Sequence, residues 1–263
     1  MNAPPTFPLP NFNTRLDGRV ALVTGASSGL GRRFAQVLAS AGASVAVAGR
    51  RGERLAALAD EIRLAGGKAL PLELDIRDVE AIPAAIAHAE AELGLVDILV
   101  NNAGVAQGRY AVEMSIDEID NTINTNFRAP FLIASAVARR LIAERTRGNI
   151  VNISSVGAYH YTSGTAAALY CASKSAILRL TETLAMEWVR FGINVNAIAP
   201  GVFRTEMSEA HLELHGDTML GRMPRKRAGE PAHLDGTLLY LVAQASEFVT
   251  GTCVRVDDGQ FPR

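Results

Sequence analysis

The sequence has little cysteine, little net charge and no long apolar run. Its two cysteines, Cys171 and Cys253, show neither the spacing of a metal site nor that of a disulfide framework. No apolar run approaches the ~20 residues that a membrane-spanning helix needs. The formal net charge of -1 gives no general attraction to nucleic acid or to an anionic membrane. These features favour a protein of a reduced, cytoplasmic compartment.

The N-terminal stretch 1–13 is rich in proline and has neither a basic start nor an apolar centre. We therefore expect a flexible arm there rather than a signal peptide. The rest of the 263-residue chain alternates short apolar runs with segments of helical periodicity. This pattern predicts one Rossmann-type α/β domain over 14–263, with helices on both faces of a doubly wound parallel sheet. The expected strands are 19–23, 44–48, 71–76, 96–100, 148–153, 193–198 and 252–256.

A glycine-rich turn follows the first expected strand and precedes a helix. Its glycines, Gly25, Gly29 and Gly31, are spaced G-x-x-x-G-x-G. A strand, a glycine turn and a helix N-terminus together present backbone N–H groups to a phosphate, which predicts a dinucleotide site. The same stretch also matches the G-x-S-x-G nucleophile elbow of serine hydrolases. In that alternative Ser27 is the nucleophile and His233 the general base.

The ends of the second and third strands indicate which dinucleotide binds. Arg50 and Arg51 follow the second strand, where a carboxylate would favour NAD and an arginine accommodates the 2′-phosphate of NADP. We therefore expect NADP(H), with Arg50 as the first candidate, Arg51 as the second and NAD(H) as a possible substitute. At the end of the third strand, Asp75 either accepts from the adenine amino group or caps a helix that starts near residue 79.

Tyr170 and Lys174 lie one turn apart in a long segment of helical periodicity, and so on one helix face. A free tyrosine has a pKa near ~10, and a cation within about 4–6 Å favours its phenolate. One lysine is insufficient to bring that pKa to neutrality, and an oxidised nicotinamide would add a second positive charge. Taken alone, the Tyr-x-x-x-Lys spacing is weak evidence for a catalytic pair. The same spacing occurs often by chance, usually as an exposed tyrosine beside a solvated lysine.

Other small or amide residues stand where the remaining strands end. Asn101 to Gly104 follow the fourth strand, Ser154 and Ser155 the fifth, and Pro200 and Gly201 the sixth. Side chains of this kind suit contact with a cofactor that lies across the sheet edge. Asn126 lies inside an expected continuous helix over 116–138, where asparagine lowers helix propensity.

Taken together in this order, these motifs resemble those of the short-chain dehydrogenase/reductase family from Leu16 to Gln260. The resemblance implies NAD(P)-dependent oxidoreduction of carbonyl and alcohol groups. It implies that Tyr170 exchanges a proton with the substrate oxygen, that Ser155 binds this oxygen, and that Lys174 lowers the pKa of Tyr170 and holds the nicotinamide ribose. Asn126 would position a water beside Lys174, and Thr205 would bind the carboxamide. The implied cofactor contacts are Gly25, Ser27, Ser28, Gly29, Leu30, Gly31, Arg50, Arg51, Asp75, Ile76, Asn102, Ala103, Gly104, Tyr170, Lys174, Pro200, Gly201, Phe203 and Thr205.

The substrate is less well defined than the chemistry. The segments 105–110 and 156–161, and the one after Gly201, are expected to form the pocket walls, which suits an apolar or aromatic ketone. An acyl-carrier-protein thioester is the alternative, with the basic run 225–227 receiving it, which would make the protein a 3-oxoacyl reductase. A catalytically idle NADP-binding regulator is a third possibility. The family resemblance also implies a homotetramer or a dimer. The aromatic and large apolar side chains expected in the walls are Tyr110, Tyr159, His160, Tyr161, Phe203, Met207, Met219 and Leu220.

Overall fold

A seven-stranded parallel sheet forms the centre of the molecule, in the strand order β3-β2-β1-β4-β5-β6-β7. The computed structural model describes residues 13–106, 108–161 and 166–261. The strands are β1 Val20–Thr24, β2 Ser44–Gly49, β3 Lys68–Glu73, β4 Ile98–Asn101, β5 Gly148–Ile153, β6 Ile193–Pro200 and β7 Cys253–Val256.

Helices connect the strands and cover both faces of the sheet. They are α1 Gly29–Ser40, α2 Gly52–Leu64, α3 Ala81–Leu93, α4 Ile116–Ile123, α5 Ala129–Ala143, α6 Ala168–Trp188, α7 Glu206–Gly221 and α8 Asp235–Val242. A π-helical turn, Asn124–Arg128, joins α4 to α5. The predicted Rossmann-type α/β fold is thereby confirmed.

The strands are apolar on both faces because helices bury both faces. In β1, Val23 points towards the layer of α1 and α8, where it joins Phe34 and Leu238 in one core cluster. Its neighbour Leu22 points the other way, into a second cluster with Ile133 of α5. The sheet order reverses between β1 and β4, so the crevice of the fold opens where these two strands end.

Several element boundaries differ from the expected ones. The third strand runs over Lys68–Glu73 instead of 71–76, so Asp75 lies beyond it, and the next helix begins at Ala81. The expected continuous helix over 116–138 is divided by the π-helical turn. The segment after Gly201, for which the sequence predicts no element, contains α7.

Two further expectations concern the whole chain. The arm 1–13 lies outside the described residues except for its last one. The assignment of 14–263 to a single domain stays a prediction. None of the helices in the described ranges combines the length and the apolar character that crossing a membrane requires.

Candidate active site

The glycine-rich turn lies at the carboxyl end of β1, against the loop that follows β4. Gly25 and Gly29 have φ angles of +66° and +54°, which side-chain-bearing residues rarely adopt. A Cβ on Gly31 would lie 2.3 Å from the Gly25 carbonyl oxygen and 2.4 Å from Asn102 Nδ2. The glycines therefore allow the turn, the first turn of α1 and the Asn102 loop to approach one another closely.

Thr24 and Asn102 fasten these two loops together. Thr24 Oγ1 accepts hydrogen bonds from the backbone N–H groups of Asn102 and Ala103, at 3.0 and 3.1 Å. In return, Asn102 Nδ2 donates to the Thr24 carbonyl at 2.9 Å. The backbone of both loops is therefore fixed beside the N-terminus of α1.

That N-terminus has the properties of an anion site. Ser28 is the N-cap residue but makes no side-chain capping bond, and the first turn of α1 carries no acidic residue. The partial positive charge of the helix end is therefore not neutralised from within α1. The residues fit the phosphates of a dinucleotide, since a glycine turn leads directly into a helix N-terminus that carries no carboxylate in its first turn.

Of the two arginines after β2, Arg51 is the one that reaches the turn. Its Nε and Nη2 donate to Ser27 Oγ at 3.0 and 2.9 Å, and Nη2 also donates to Ser28 Oγ at 2.8 Å. Arg50 is exposed and contributes an electrostatic effect at Asp75. The Asp75 carboxylate is engaged by Arg77, whose guanidinium lowers the pKa of Asp75. Ile76, beside it, is buried.

The two adjacent serines at the end of β5 face different partners. Ser154 is buried, and its hydroxyl donates to the Lys174 backbone carbonyl at 2.8 Å. Ser155 accepts from the Gly157 N–H at 3.0 Å and hydrogen-bonds to the Tyr170 side chain. Ser155, and not Ser154, therefore shares a site with the Tyr170 hydroxyl.

Lys174 lies deep beneath Tyr170. Its Nζ donates to the Ile153 carbonyl at 2.9 Å and is 5.8 Å from the centroid of the Tyr170 ring. Burial of the ammonium lowers the pKa of Lys174 from its ordinary 10.5 to about 8. Gly104 leaves the space above it open, because a Cβ there would be 3.4 Å from Lys174 Nζ.

The pKa of Tyr170 differs from the sequence expectation. The pKa is raised, chiefly by burial of the phenol, while the hydrogen bond from Ser155 acts in the opposite direction. Lys174 does not offset the burial, because its ammonium is turned towards the Ile153 carbonyl. At neutral pH Tyr170 is therefore a protonated donor, which suits delivery of a proton to a carbonyl oxygen.

Asn126 lies in the π-helical turn and joins three segments. Its Nδ2 donates to the Val105 carbonyl at 2.9 Å and to Ser173 Oγ at 3.1 Å. Its Oδ1 accepts from the Val105 N–H at 2.8 Å. The turn thus gives a structural reason for a mid-helix asparagine: it ties the loop after β4 to α6, beside Lys174. Such π-helical insertions are often found at functional sites.

Two clefts lie beside elements of the site, and neither is lined by Ser155, Tyr170 or Lys174. One, of about 330 Å³, lies at the start of α6 and is lined by Tyr110, Val112, Glu113, Tyr161 and Ala168 among others. The other, of about 600 Å³, lies between Gly29 and α7 and carries Arg204, Glu206, Glu209 and Glu213. Residues 162–165, which follow Tyr161 in the sequence, lie outside the described residues.

Some expected wall residues lie elsewhere. Phe203 is buried, and a Cβ on Gly229 would lie 2.7 Å from its ring. The Tyr159 ring packs under the guanidinium of Arg255, 5.0 Å away, and His160 contacts the Phe261 ring, with the two centroids 5.5 Å apart. These three side chains therefore pack against the protein, while Tyr110 and Tyr161 line the first cleft.

The segment after β6 leads into α7. Thr205 is the N-cap residue of α7 and forms a capping box with Ser208. Gln260 Oε1 accepts from the Val202 N–H at 2.7 Å, and a Cβ on Gly201 would lie 2.3 Å from this oxygen. The chain after Pro200 is therefore held by a glutamine from the C-terminal segment, which no motif in the sequence indicates.

The nucleophile-elbow alternative is not supported by the partners of its residues. The Ser27 hydroxyl accepts from the Arg51 guanidinium. His233 Nδ1 accepts from the Glu230 N–H at 2.9 Å, within a turn before α8. Neither side chain is positioned to activate the other, so this site contains no serine–histidine pair built from them.

Comparison with known proteins identifies the relatives of this arrangement. A family model described as short chain dehydrogenase matches residues 19–214. Gluconate 5-dehydrogenase from Gluconobacter oxydans is 39% identical, with 93% of this chain and 95% of that protein covered. The 3-oxoacyl-acyl-carrier-protein reductase of Thermotoga maritima is 35% identical, with 93% and 98% covered. A gluconate 5-dehydrogenase from Burkholderia cenocepacia, solved in complex with NADP and tartrate, superimposes with a TM-score of 0.89 at 36% identity, covering 94% of this chain and 97% of that one.

Proposed function

We propose, since this chain belongs to the short-chain dehydrogenase/reductase family, that it transfers a hydride between NADP(H) and a carbonyl or secondary alcohol carbon. The observation that carries the proposal is the hydrogen-bonded pair of Ser155 and Tyr170 above a buried Lys174. This group stands at the sheet edge that also holds the glycine turn and the Asn102 loop. Bound NADP(H) would supply the hydride or accept it.

The residues of the chain handle the proton and the substrate oxygen. Tyr170 is protonated at neutral pH and donates to the carbonyl oxygen as negative charge develops there. Ser155 donates a hydrogen bond to the same oxygen and stabilises that charge. Lys174 supplies a positive charge beneath the ring, and Asn126 fixes the loop above it, where it would also order a water.

Three features support NADP(H) over NAD(H). Arg51 brings a planar guanidinium to Ser27 and Ser28, and such a fork suits a phosphate. Arg50 lies next to it and is exposed. The similar Burkholderia cenocepacia enzyme was solved with NADP. We place the phosphate on Arg51 first and Arg50 second, the reverse of the ranking by sequence, and retain the other cofactor contacts implied by the family resemblance.

For the substrate we propose an uncharged ketone or secondary alcohol with an apolar or aromatic group. The cleft at the start of α6 is lined by Tyr110, Val112, Tyr161 and alanines. Glu113 lines the same cleft, and its carboxylate disfavours an aldonate such as the substrate named for the Gluconobacter oxydans relative. A 3-oxoacyl thioester remains the second candidate, because the Thermotoga maritima relative is named for that reaction.

Initial rates of NADPH consumption test the proposal, with NADH in parallel. The panel contains aromatic and aliphatic ketones, a diketone, 5-ketogluconate and a 3-oxoacyl thioester. We expect the highest kcat/KM for an uncharged ketone, and a fall of about 10²–10⁴ in Tyr170→Phe. Faster turnover of 5-ketogluconate or of the thioester would contradict the substrate class. An unchanged rate in Tyr170→Phe would contradict the chemistry, and NADPH binding without any turnover would favour the regulatory alternative.

We also infer assembly into a homotetramer through α6 and the region of β7. Met186 and Val189, at the end of α6, are 76% and 46% exposed, and Phe248, before β7, is 99% exposed. Large apolar side chains that are exposed favour a subunit contact. Light scattering at micromolar concentration tests this, and a mass near 28.0 kDa would contradict it.

A further inference from the structure

Glu206, the first residue of α7, binds the same arginine that reaches the glycine-rich turn. Its Oε1 accepts from Arg51 Nη1 at 2.7 Å. Arg54 Nη1 donates to its two carboxylate oxygens at 3.1 and 3.2 Å. Ser28 also hydrogen-bonds to this carboxylate. We call Ser27, Ser28, Arg51 and Arg54 the anion cluster.

The anion cluster is saturated by Glu206. Every nitrogen of the Arg51 guanidinium has a partner: Nε and Nη2 donate to the serines, and Nη1 donates to Glu206. The arginines, Arg51 first, lower the pKa of Glu206 to about 2, so the carboxylate is ionised at every working pH. A phosphate needs the same guanidinium donors and carries the same sign of charge. The phosphate and Glu206 cannot both occupy the cluster.

The position of Glu206 in the chain connects this cluster to the second cleft. Glu206 follows Thr205, and a Cβ on Gly29 would lie 3.3 Å from Thr205 Cβ. The N-terminal end of α7 is therefore held against the glycine turn by the Glu206 ion pairs on one side and by Thr205 on the other. Release of Glu206 would remove one of these two contacts from the first turn of α7, which borders the cleft of about 600 Å³.

We propose that Glu206 is an internal substitute for the phosphate of NADP(H) in the anion cluster, and that cofactor binding displaces it and releases the first turn of α7. The inference rests on the proposed use of NADP(H). Glu206 then acts as a specificity-determining residue. It lowers the affinity for the phosphate-bearing cofactor and leaves NADH, which has only a ribose hydroxyl at that position, nearly unaffected.

Glu206→Gln tests the proposal, because it keeps the shape and removes the charge. Dissociation constants are measured by cofactor fluorescence for NADPH and NADH, and by calorimetry for adenosine 2′,5′-bisphosphate. Exposed ion pairs are individually weak, so we expect NADPH and the bisphosphate to bind roughly three- to tenfold more tightly. NADH affinity should change by less than about twofold. A second measurement, made with Arg51→Ala, should show a smaller effect of Glu206→Gln in that background, where only Arg54 is left to bind the carboxylate.

Glu53→Gln is the matched control. Glu53 is an exposed carboxylate in the first turn of α2, one residue from Arg54, and forms no ion pair with either arginine in the described structure. This variant should leave the affinities for NADPH and NADH unchanged. If it increased NADPH affinity as much as Glu206→Gln does, the gain would come from the change in net charge and not from the position of Glu206.

Three outcomes with Glu206→Gln would overturn the inference. Weaker or unchanged NADPH binding would mean that Glu206 holds the arginines in place for the phosphate. An equal gain for NADH would show that the phosphate is not what Glu206 replaces. An undiminished gain in the Arg51→Ala background would exclude Arg51 as the shared partner. Failure of the NADP(H) proposal is seen separately, in the wild type, as tighter binding of NADH than of NADPH.

Discussion

Two neighbouring serines follow β5, and they have different roles: one supports the structure and the other lies at the reacting group. Successive side chains of a strand point to opposite sides. Ser154 is turned to the backbone of α6, where its hydroxyl donates to the Lys174 carbonyl. Ser155 is turned to the sheet edge, where its hydroxyl meets that of Tyr170. The sequence alone leaves these two residues equivalent, since both are serines after the same strand.

Alanine substitution should separate the two roles. Ser155→Ala is expected to reduce kcat by about 10²–10³ with little change in stability, because it removes a donor to the developing oxyanion. Ser154→Ala is expected to lower the free energy of unfolding by roughly 1 kcal/mol, through loss of a buried hydrogen bond, while most of kcat is retained. Steady-state rates and urea unfolding of both variants measure this. A larger loss of kcat in Ser154→Ala would reverse the assignment.

Lys174 is expected to cost the protein stability in a pH-dependent way. Burial lowers its pKa from 10.5 to about 8, so the unfolded chain binds its proton more tightly than the folded chain does. The penalty is complete below pH 8, roughly 3 kcal/mol at most, and it is relieved as pH rises from 8 towards 10.5. Lys174→Met should therefore be inactive but more stable than the wild type at pH 7, with a smaller advantage at pH 9.5.

Urea unfolding of the wild type and of Lys174→Met at the two pH values measures this difference, and other titrations cancel in the comparison. A variant that is less stable by the same amount at both pH values would contradict the prediction. It would show that the hydrogen bond from Nζ to the Ile153 carbonyl outweighs the cost of burial.

At the scale of the elements, the strand–turn–helix unit of β1 and α1 depends on the absence of a side chain at Gly31. A Cβ there would meet both the Gly25 carbonyl and the Asn102 amide. Gly31→Ala should therefore separate the turn from the Asn102 loop and lower the affinity for NADPH by more than tenfold, roughly 1.4 kcal/mol or more. Fluorescence titration measures the affinity.

Gly236→Ala is the matched control, because a Cβ at this position of α8 meets nothing within 4 Å. It should leave NADPH binding unchanged and raise the stability by up to about 1 kcal/mol, since alanine has the higher helix propensity. If Gly31→Ala and Gly236→Ala bind NADPH equally well, the claim that NADPH binding requires the close packing at Gly31 is wrong.

The differences between the expected and the observed element boundaries have physical causes. Apolar residues alternate over the whole stretch, at Leu70, Leu72, Leu74 and Ile76, so the pattern fits a strand over 68–73 as well as one over 71–76. Pairing with β2, in which Val47 lies opposite Pro71, decides between them. Pro71 is tolerated because β3 lies at the edge of the sheet. The π-helical turn at Asn126 leaves no periodic signal either, since it follows from the contacts that Asn126 makes with Val105 and Ser173.

The parts of the site that the sequence predicts are those held by local spacing. Tyr170 and Lys174 are one helical turn apart, and Gly25, Gly29 and Gly31 fall within one short turn and the start of α1, so their geometry follows from the backbone. The parts it misses join distant segments. Arg51 meets Glu206 across 155 positions, and Val202 meets Gln260 across 58. The choice of Arg51 over Arg50 likewise depends on which side chain faces Ser27, and both follow β2.

At the scale of the whole molecule, a cofactor that crosses the crevice should stabilise the entire fold. The turn after β1, the loop after β4, the end of β5 and the start of α7 all lie at one edge of one sheet. A ligand that binds only the folded chain adds about 2.7 kcal/mol of stability at 100 times its dissociation constant. If 14–263 is a single domain, that gain appears in a single unfolding transition.

NADPH at such a concentration is therefore expected to raise Tm by roughly 5–11 °C without splitting the transition. The same concentration of NADH should raise it less, and Arg51→Ala should bring the two shifts together, since it removes the guanidinium that we assign to the phosphate. Scanning calorimetry with each cofactor measures all three. Two separated transitions, of which NADPH moves only one, would contradict the single domain. A larger shift with NADH would contradict the cofactor preference, because stabilisation by a ligand increases with its affinity for the folded chain.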